Sequence, residues 1–328
     1  MERDHVLAVD LGGTNLRVAA VARDGSIACR RSVATDANAG PEVVAGKIGE
    51  LLTEVAAEAG LPASAAAGVA IPGPIDPRTG VVAFTPNLAG WRNFPLGERL
   101  LALTGRPIAL GNDGNCAGLG EFRFGVGTDS SNLLYLALGT GVGAGIISEG
   151  RLIEGASGLA GELGHVVVAL DGPRCTCGSI GCLEAFASGW AIAREANLVA
   201  STAEGAGIRR AAAGKRLNAS VVADAAREGD AAAIEILERV GRALGAAIGS
   251  FINIFNPEMV VIGGGLASLG DLLMEPTRRA IANHSFHAQR TRTKLAMSIL
   301  GDDTALCGAA ALAMDDQRLM RPTEVVST

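Results

Sequence analysis

Aromatic residues are scarce in this chain, with eight phenylalanines, two tryptophans and one tyrosine among 328 residues. The core therefore cannot rest on large rings and must be built from Ala, Val, Leu and Ile. There is also no block of lysine and arginine, and the formal net charge is −6. That argues against a nucleic-acid or anionic-membrane surface. No apolar run reaches the roughly 18 residues that a membrane-spanning helix needs. The opening MERDHVLAVD enters a strand pattern at once, without the layout of a secretory signal. A cytoplasmic, reducing location is the expectation, and crowded cysteines there point to metal before disulfide.

What is present describes a globular chain, 48% hydrophobic and 19% charged. Its length exceeds one ordinary core, so two domains or one duplicated unit are expected. The segment HVLAVDLGGTNLRVAAVARDGSIACRRSVA alternates apolar and small residues around Gly12-Gly13 and Asp24-Gly25, which predicts three strands. A helix is predicted over 41–60, with Pro41 near its start and Gly60 as C-cap. AAGVAIPG reads as a buried strand, PLGERLLALTG as a helix, and PIAL as a strand leading to a helix near Asp113. The strand–glycine turn–strand pattern then restarts at NLLYLALGTGVGAGIISEGRLIEG. Helices are predicted around 183–196, 218–228, 231–253 and 270–283, strands at MVVIGGG and KLAMSIL, and a last helix at ALCGAAALAM. The polar tail after about Asp315 is expected to fray.

Two glycine turns carry the first chemical signal. DLGGTNLR (Asp10 to Arg17) can turn backbone N–H groups toward phosphate, and it can equally be a plain hairpin turn. No Walker loop occurs, and strand-like residues follow the glycines, which disfavours a dinucleotide-binding unit. The second turn, GTGVGAG (Gly139 to Gly145), holds four glycines in seven residues, more than a structural turn requires. Two such turns can grip one phosphate chain from both sides. In GNDGN, Asp113 can accept a proton from a hydroxyl while Asn112 orients the substrate, or Asp113 can be a helix N-cap.

Half of the six cysteines crowd into CTCGSIGC. With His165, separated from Cys175 by nine residues, Cys175, Cys177 and Cys182 form a Cys₃His set suited to a structural zinc. Glu162 and Glu184 flank the set, and a metal that pins both segments pins both carboxylates for hydroxyl binding. Zinc removal is then expected to weaken substrate binding before it alters phosphate chemistry. VVIGGG ends in Gly263, Gly264 and Gly265, either a tight connection or a flat surface for adenine or ribose. His284 and His287 read as surface residues, and Cys29, Cys116 and Cys307 as inert core thiols.

Together these stretches resemble the ROK family of sugar kinases and sugar-responsive repressors, from Asp10 to about Met314. DLGGTNLR and GTGVGAG match its phosphate motifs and VVIGGG its adenosine region. GELGH followed by CTCGSIGCLE matches its zinc signature, while IPGPID and TPNLAGW match the sugar-side loops of its glucokinases. The resemblance implies an α/β, actin-like and hexokinase-like (ribonuclease H-like) ATPase fold, with two similar α/β domains around a cleft. The expected division is residues 1–111 with about 302–328, and 112–301. It implies ATP-dependent phosphorylation of a hexose at O6, glucose first, with ATP, Mg²⁺ and structural Zn²⁺. Asp113 would be the catalytic base. Gly73, Asn87, Asn112, Asp113, Glu162, His165 and Glu184 would hold the sugar.

On the nucleotide side the resemblance points to Asp10, Gly12, Gly13, Thr14 and Asn15, with Asp10 orienting metal-bound water. It adds Gly139, Thr140, Gly141 and Gly143, and then Gly263, Gly264 and Gly265. His165, Cys175, Cys177 and Cys182 would bind zinc, with the other His165 nitrogen facing the sugar. Gly114 and Cys116 depart from the alanines more usual in the kinases. Another hexose or hexosamine, polyphosphate as donor, and a non-catalytic sugar sensor are the alternatives. Only nine residues precede Asp10 and the chain is acidic, so a DNA-binding segment is not expected. A dimer or tetramer is expected.

Overall fold

The alternating apolar residues of HVLAVDL and NLRVAAVA form β1 (His5–Leu11) and β2 (Asn15–Ala22). They pair antiparallel from His5 opposite Ala22 to Leu11 opposite Leu16, so the glycine turn closes the hairpin. The computed structural model describes residues 5–321. The chain divides into two compact units. The first is Met1–Asp129, Gly145–Gly161 and Ile299–Thr328; the second is Ser130–Ala144 and Glu162–Ser298.

The chain continues with β3 (Ile27–Ala34), α1 (Pro41–Ala59) and β4 (Ala67–Ile71). Pro41 opens α1, and Gly60 ends it at a φ of 64°, a left-handed value that glycine adopts without a Cβ clash. A small antiparallel sheet follows, β5 (Ile75–Asp76), β6 (Val81–Phe84) and β7 (Arg92–Phe94). Then come α2 (Leu96–Thr104), β8 (Ile108–Asn112) and α3 (Asp113–Phe124). The main sheet runs β3-β2-β1-β4-β8. Every residue of AGVAI in β4 is buried because the strand lies between parallel neighbours β1 and β8. Ile48, Leu52 and Val55 of α1 are fully buried in the core of this unit. Each such side chain contributes roughly 1.5–3 kcal/mol through burial.

The pattern then repeats. The strands β9 (Leu133–Leu138), β10 (Val142–Ser148) and β11 (Arg151–Leu152) form a second meander. Next are α4 (Glu184–Ala187), α5 (Gly189–Ala200), α6 (Ala206–Ala212), α7 (Ala219–Arg227) and α8 (Ala231–Phe255). The chain closes with β12 (Met259–Gly263), α9 (Asp271–His284), α10 (His287–Arg290), β13 (Lys294–Met297) and α11 (Thr304–Ala313). The second sheet runs β11-β10-β9-β12-β13, the order of the first: three meander strands, then two parallel ones. The single helix predicted over 183–196 is broken at Ser188, whose Oγ caps α5 by accepting from the Ala191 N–H at 3.2 Å.

The division differs from the one expected at 111/112. The helix α3, with Asp113, belongs to the first unit, together with residues 145–161. The cause is close packing of α3 on α11. A Cβ on Gly308 would fall inside the Cys116 carbonyl, and one on Gly120 would strike the Thr304 carbonyl oxygen. Glu121, fully buried, accepts from the backbone N–H groups of Val126, Ile299 and Leu300. The tail expected to fray is anchored as far as Arg321. Met320 exchanges backbone hydrogen bonds with Ile108, and Arg318 pairs with Glu154 at 2.8 Å. Residues 322–328 and 1–4, which the expected division also covered, lie outside the described residues.

Candidate active site

In the first unit the turn after β1 is stitched by backbone bonds. The Gly12 N–H donates to the Asn15 carbonyl at 2.9 Å, and the Thr35 hydroxyl donates to the Gly12 carbonyl at 2.8 Å. Thr14 and Asn15 stand exposed at its tip. A Cβ on Gly13 would sit 3.1 Å from Asn87 Cβ, so the turn lies directly against the TPNLAGW loop. That loop is pinned by buried Leu88 and Trp91 and by the Thr85 hydroxyl donating to the Leu88 carbonyl. Asp10, at the end of β1, is largely buried, with Arg17 3.8 Å away. Burial pushes its carboxyl up to about 6, the Arg17 cation opposes this, and Asp303 and Asp302 add to the rise.

Asn112, not Asp113, takes the N-cap of α3. Its Oδ1 accepts from the N–H groups of Gly114 at 2.9 Å and Asn115 at 3.1 Å. Its Nδ2 donates to the Gly73 carbonyl at 3.2 Å. The oxygen is thus committed, and one amide hydrogen is left for a ligand. Asp113 is the first helical residue, where the helix N-terminus favours negative charge. Gly73 has a φ of 94°, and a Cβ there would strike the Phe84 carbonyl oxygen, so glycine fits where other residues would be strained. One unit therefore gathers Asp10, the first glycine turn, Gly73, Asn87, Asn112 and Asp113.

The second unit holds the other half of the predicted set. Gly139, Thr140 and Gly141 form the turn between β9 and β10, closed by the Gly139 N–H donating to the Gly141 carbonyl at 3.0 Å. Gly143 lies inside β10, two residues past this turn. Glu184 reaches the turn from α4, its Oε2 accepting from the Val142 N–H at 3.0 Å. A Cβ on Gly141 would be 2.5 Å from that oxygen, so a side chain there would displace the carboxylate. The other carboxylate oxygen accepts from the Thr176 hydroxyl at 3.1 Å. Glu184 thus joins the cysteine loop to the glycine turn, a link the expected zinc-to-sugar division did not include.

The ligand atoms of His165, Cys175, Cys177 and Cys182 all lie within 4.8 Å of one another. Cys177 Sγ and Cys182 Sγ are 3.8 Å apart, and Cys175 Sγ is 3.7 Å from His165 Nδ1. Tetrahedral zinc with bonds of about 2.3 Å to sulfur and 2.0 Å to nitrogen requires spacings of about 3.5–3.8 Å. The donor set therefore fits zinc. Burial and the neighbouring thiols push Cys182 up to about 12, whereas the Ser179 N–H draws Cys177 down to about 7. Together the three thiols ionise only beside a cation. Nε2 of His165 points the other way, 3.9 Å from an exposed Glu162 oxygen.

A cavity of about 580 Å³ opens beside the second turn. Gly139, Thr140 and Gly265 line it, with Trp190, Arg216, Asn218, Leu266 and Leu269. Gly263 and Gly264 are closely packed, since side chains there would strike Tyr135 and Leu138 of β9. Trp190, Arg216 and Asn218 were missed in the sequence. One of only two tryptophans, placed right after Gly189, was the available signal for the first; GKRLN reads as an ordinary polar loop. His284 and His287 are exposed, as expected.

The doubled sheet order, with a glycine turn closing the first hairpin of each sheet, defines an α/β fold of the actin-like, hexokinase-like ATPase class. The chain belongs to the ROK family, whose pattern matches residues 6–316. A glucokinase of Thermotoga maritima is 37% identical over 321 residues, covering 95% of this chain and 98% of that protein. An N-acetylmannosamine kinase of Escherichia fergusonii is 34% identical over 314 residues, covering 95% and 99%. The crystal structure of a ROK family glucokinase from Streptomyces griseus, in complex with glucose and AMPPNP, matches with a TM-score of 0.80. It is 32% identical, with 94% of this chain and 99% of that one covered.

Proposed function

We propose that this chain is a hexose kinase that transfers the γ-phosphoryl group of ATP to O6 of glucose. The observation that carries the reading is the duplicated glycine-turn hairpin combined with a carboxylate, Asp113, at the start of the helix after the last parallel strand. Whole-length similarity to glucokinases supports it. In this reading Asp113 accepts the O6 proton as O6 attacks the γ-phosphorus in line. The new O6–P bond forms as the bond to the β-phosphate oxygen breaks, and ADP leaves. The free amide hydrogen of Asn112, with Gly73, Asn87, Glu162, His165 Nε2 and Glu184, holds the sugar hydroxyls. The N–H groups of the two glycine turns meet the phosphates, and the cavity beside Trp190 and Arg216 takes the nucleoside.

Mg²⁺ bound with ATP would neutralise phosphate charge, and Asp10 would orient its water. His165, Cys175, Cys177 and Cys182 would hold zinc, which would supply rigidity and no reacting group. A cytoplasmic setting belongs to the same proposal; the six cysteines are free thiols. Among the described residues no helix is long and apolar enough to cross a membrane. A dimer or tetramer belongs to the same proposal, closed symmetric oligomers being common among soluble proteins.

The similarity to an N-acetylmannosamine kinase favours a second reading, an N-acetylated hexosamine as acceptor. Phosphorylation measured across a sugar panel, with ATP and polyphosphate as donors, separates the two. Glucose with ATP is the expected best pair. Preference for an N-acetylated hexosamine would replace the glucose assignment.

A further inference from the structure

Away from the residues assigned above, the first unit contains a further cavity of about 620 Å³, within the range of small-molecule sites. The end of α3, the start of β11, the Pro77–Arg78 turn and the segment after α11 line it. Its charged lining is Arg78, Arg123, Arg151 and Arg318 against Glu154 and Asp315. That leaves a surplus of two positive charges on a chain whose formal net charge is −6. Two of the arginines are already engaged. Arg318 bridges Glu154 at 2.8 Å and Asp315 at 3.4 Å, and Arg78 binds Asp76 and the Ala156 carbonyl. Arg123 and Arg151 make no ion pair or side-chain hydrogen bond with any described residue. Beneath these charges the lining turns apolar, at Leu110 and Leu119.

We propose that this cavity binds a small organic phosphate monoester and that its occupancy tunes sugar binding in the same unit. A phosphate monoester carries about −1.5 to −2 charges at neutral pH, which matches the surplus of two. A single carboxylate would leave one cation uncompensated. Two free guanidinium groups suit the phosphate oxygens, and the apolar lining suits an organic body rather than inorganic phosphate alone. The coupling follows from the elements touched. Leu119 and Arg123 share α3 with Asp113, Leu110 precedes Asn112 by two residues in β8, and the Pro77–Arg78 turn follows Gly73 across β5. The binding claim stands apart from the kinase reading; the tuning rests on it.

The test is calorimetric titration of the full chain with phenyl phosphate, which is neither a sugar nor a product of the proposed reaction. One-site binding is expected in the wild type. The double variant Arg123→Ala, Arg151→Ala should bind about tenfold more weakly or less, because two charge-assisted contacts are lost. Both side chains are exposed, so an unchanged melting temperature checks that the variant folds. The Arg123→Lys, Arg151→Lys variant should retain much of the affinity. No binding by the wild type would overturn the site, and so would equal binding by the alanine variant, which would place the probe on the glycine turns. In steady-state kinetics phenyl phosphate should shift the sugar KM of the wild type and not that of the alanine variant. An unmoved KM would remove the tuning role. A chain that binds the probe and phosphorylates no sugar would instead overturn the kinase reading and leave the site standing.

Discussion

Asp113 stands one residue inside α3, because Asn112 has taken the capping position. The replacement Asp113→Asn keeps shape and removes the carboxylate proposed as base, so turnover should fall by about 10² or more with sugar affinity nearly intact. Steady-state kinetics and sugar calorimetry on the one variant check both halves. Asp10 yields a prediction with a sign. Its carboxyl ionises near 6 when folded, against an ordinary value of 3.8. The folded chain therefore holds an extra proton between about pH 4 and pH 6, and stability falls as pH rises through that window. Above pH 6 the cost of the buried charge is fully present. Asp10→Asn should accordingly melt higher than wild type at pH 7.5, with a smaller gap at pH 4.5, while losing phosphoryl transfer. A gap equal at both pH values would discard the buried-charge account. GNDGN announced that a carboxylate and amides meet at a helix start. It did not say which residue caps, since Asn and Asp have near-equal N-cap preference and only the three-dimensional direction of each side chain decides.

At the scale of elements, the two glycine hairpins and most helices were legible because period-2 and period-3.6 patterns are local properties of the chain. The Cys₃His cluster was legible for another reason: three cysteines and a histidine so close in sequence are few enough to be read as one set, and their ligand atoms do gather. What remained hidden depended on contact. The hydrogen bond from the Val142 N–H to Glu184 ties the cysteine loop to the second glycine turn. Nothing in the spacing between 142 and 184 signals it. Removal of zinc should therefore weaken nucleotide binding as well as sugar binding, by about tenfold or more in calorimetry of chelated against zinc-loaded protein. Nucleotide affinity that stayed fixed in a folded, zinc-free sample would contradict this link. Glycine packing was likewise invisible. Gly120 and Gly308 sit in helices for the sake of close approach, and Gly308→Val should destabilise the chain by a few kcal/mol in denaturant unfolding, through overpacking.

The whole molecule repeats one sheet order twice, and the sequence hinted at this only through the restart of strand, glycine turn and strand near Leu133. Its division was misread because α3 follows the strand that ends the first sheet, and a boundary before a helix looks natural in a linear reading. The packing of α3 on α11, contributed by residues nearly two hundred positions later, places Asp113 in the same unit as Asp10 and the first glycine turn. Asp113, the first glycine turn and the loop with Asn87 are thereby carried on one body. The central claim, a hexose kinase with Asp113 as its base, is tested most directly by phosphorus NMR of the products formed from glucose and ATP. Glucose 6-phosphate and ADP are expected with the wild type, and neither with Asp113→Asn. Free phosphate without a sugar ester, or an unimpaired variant, would contradict it.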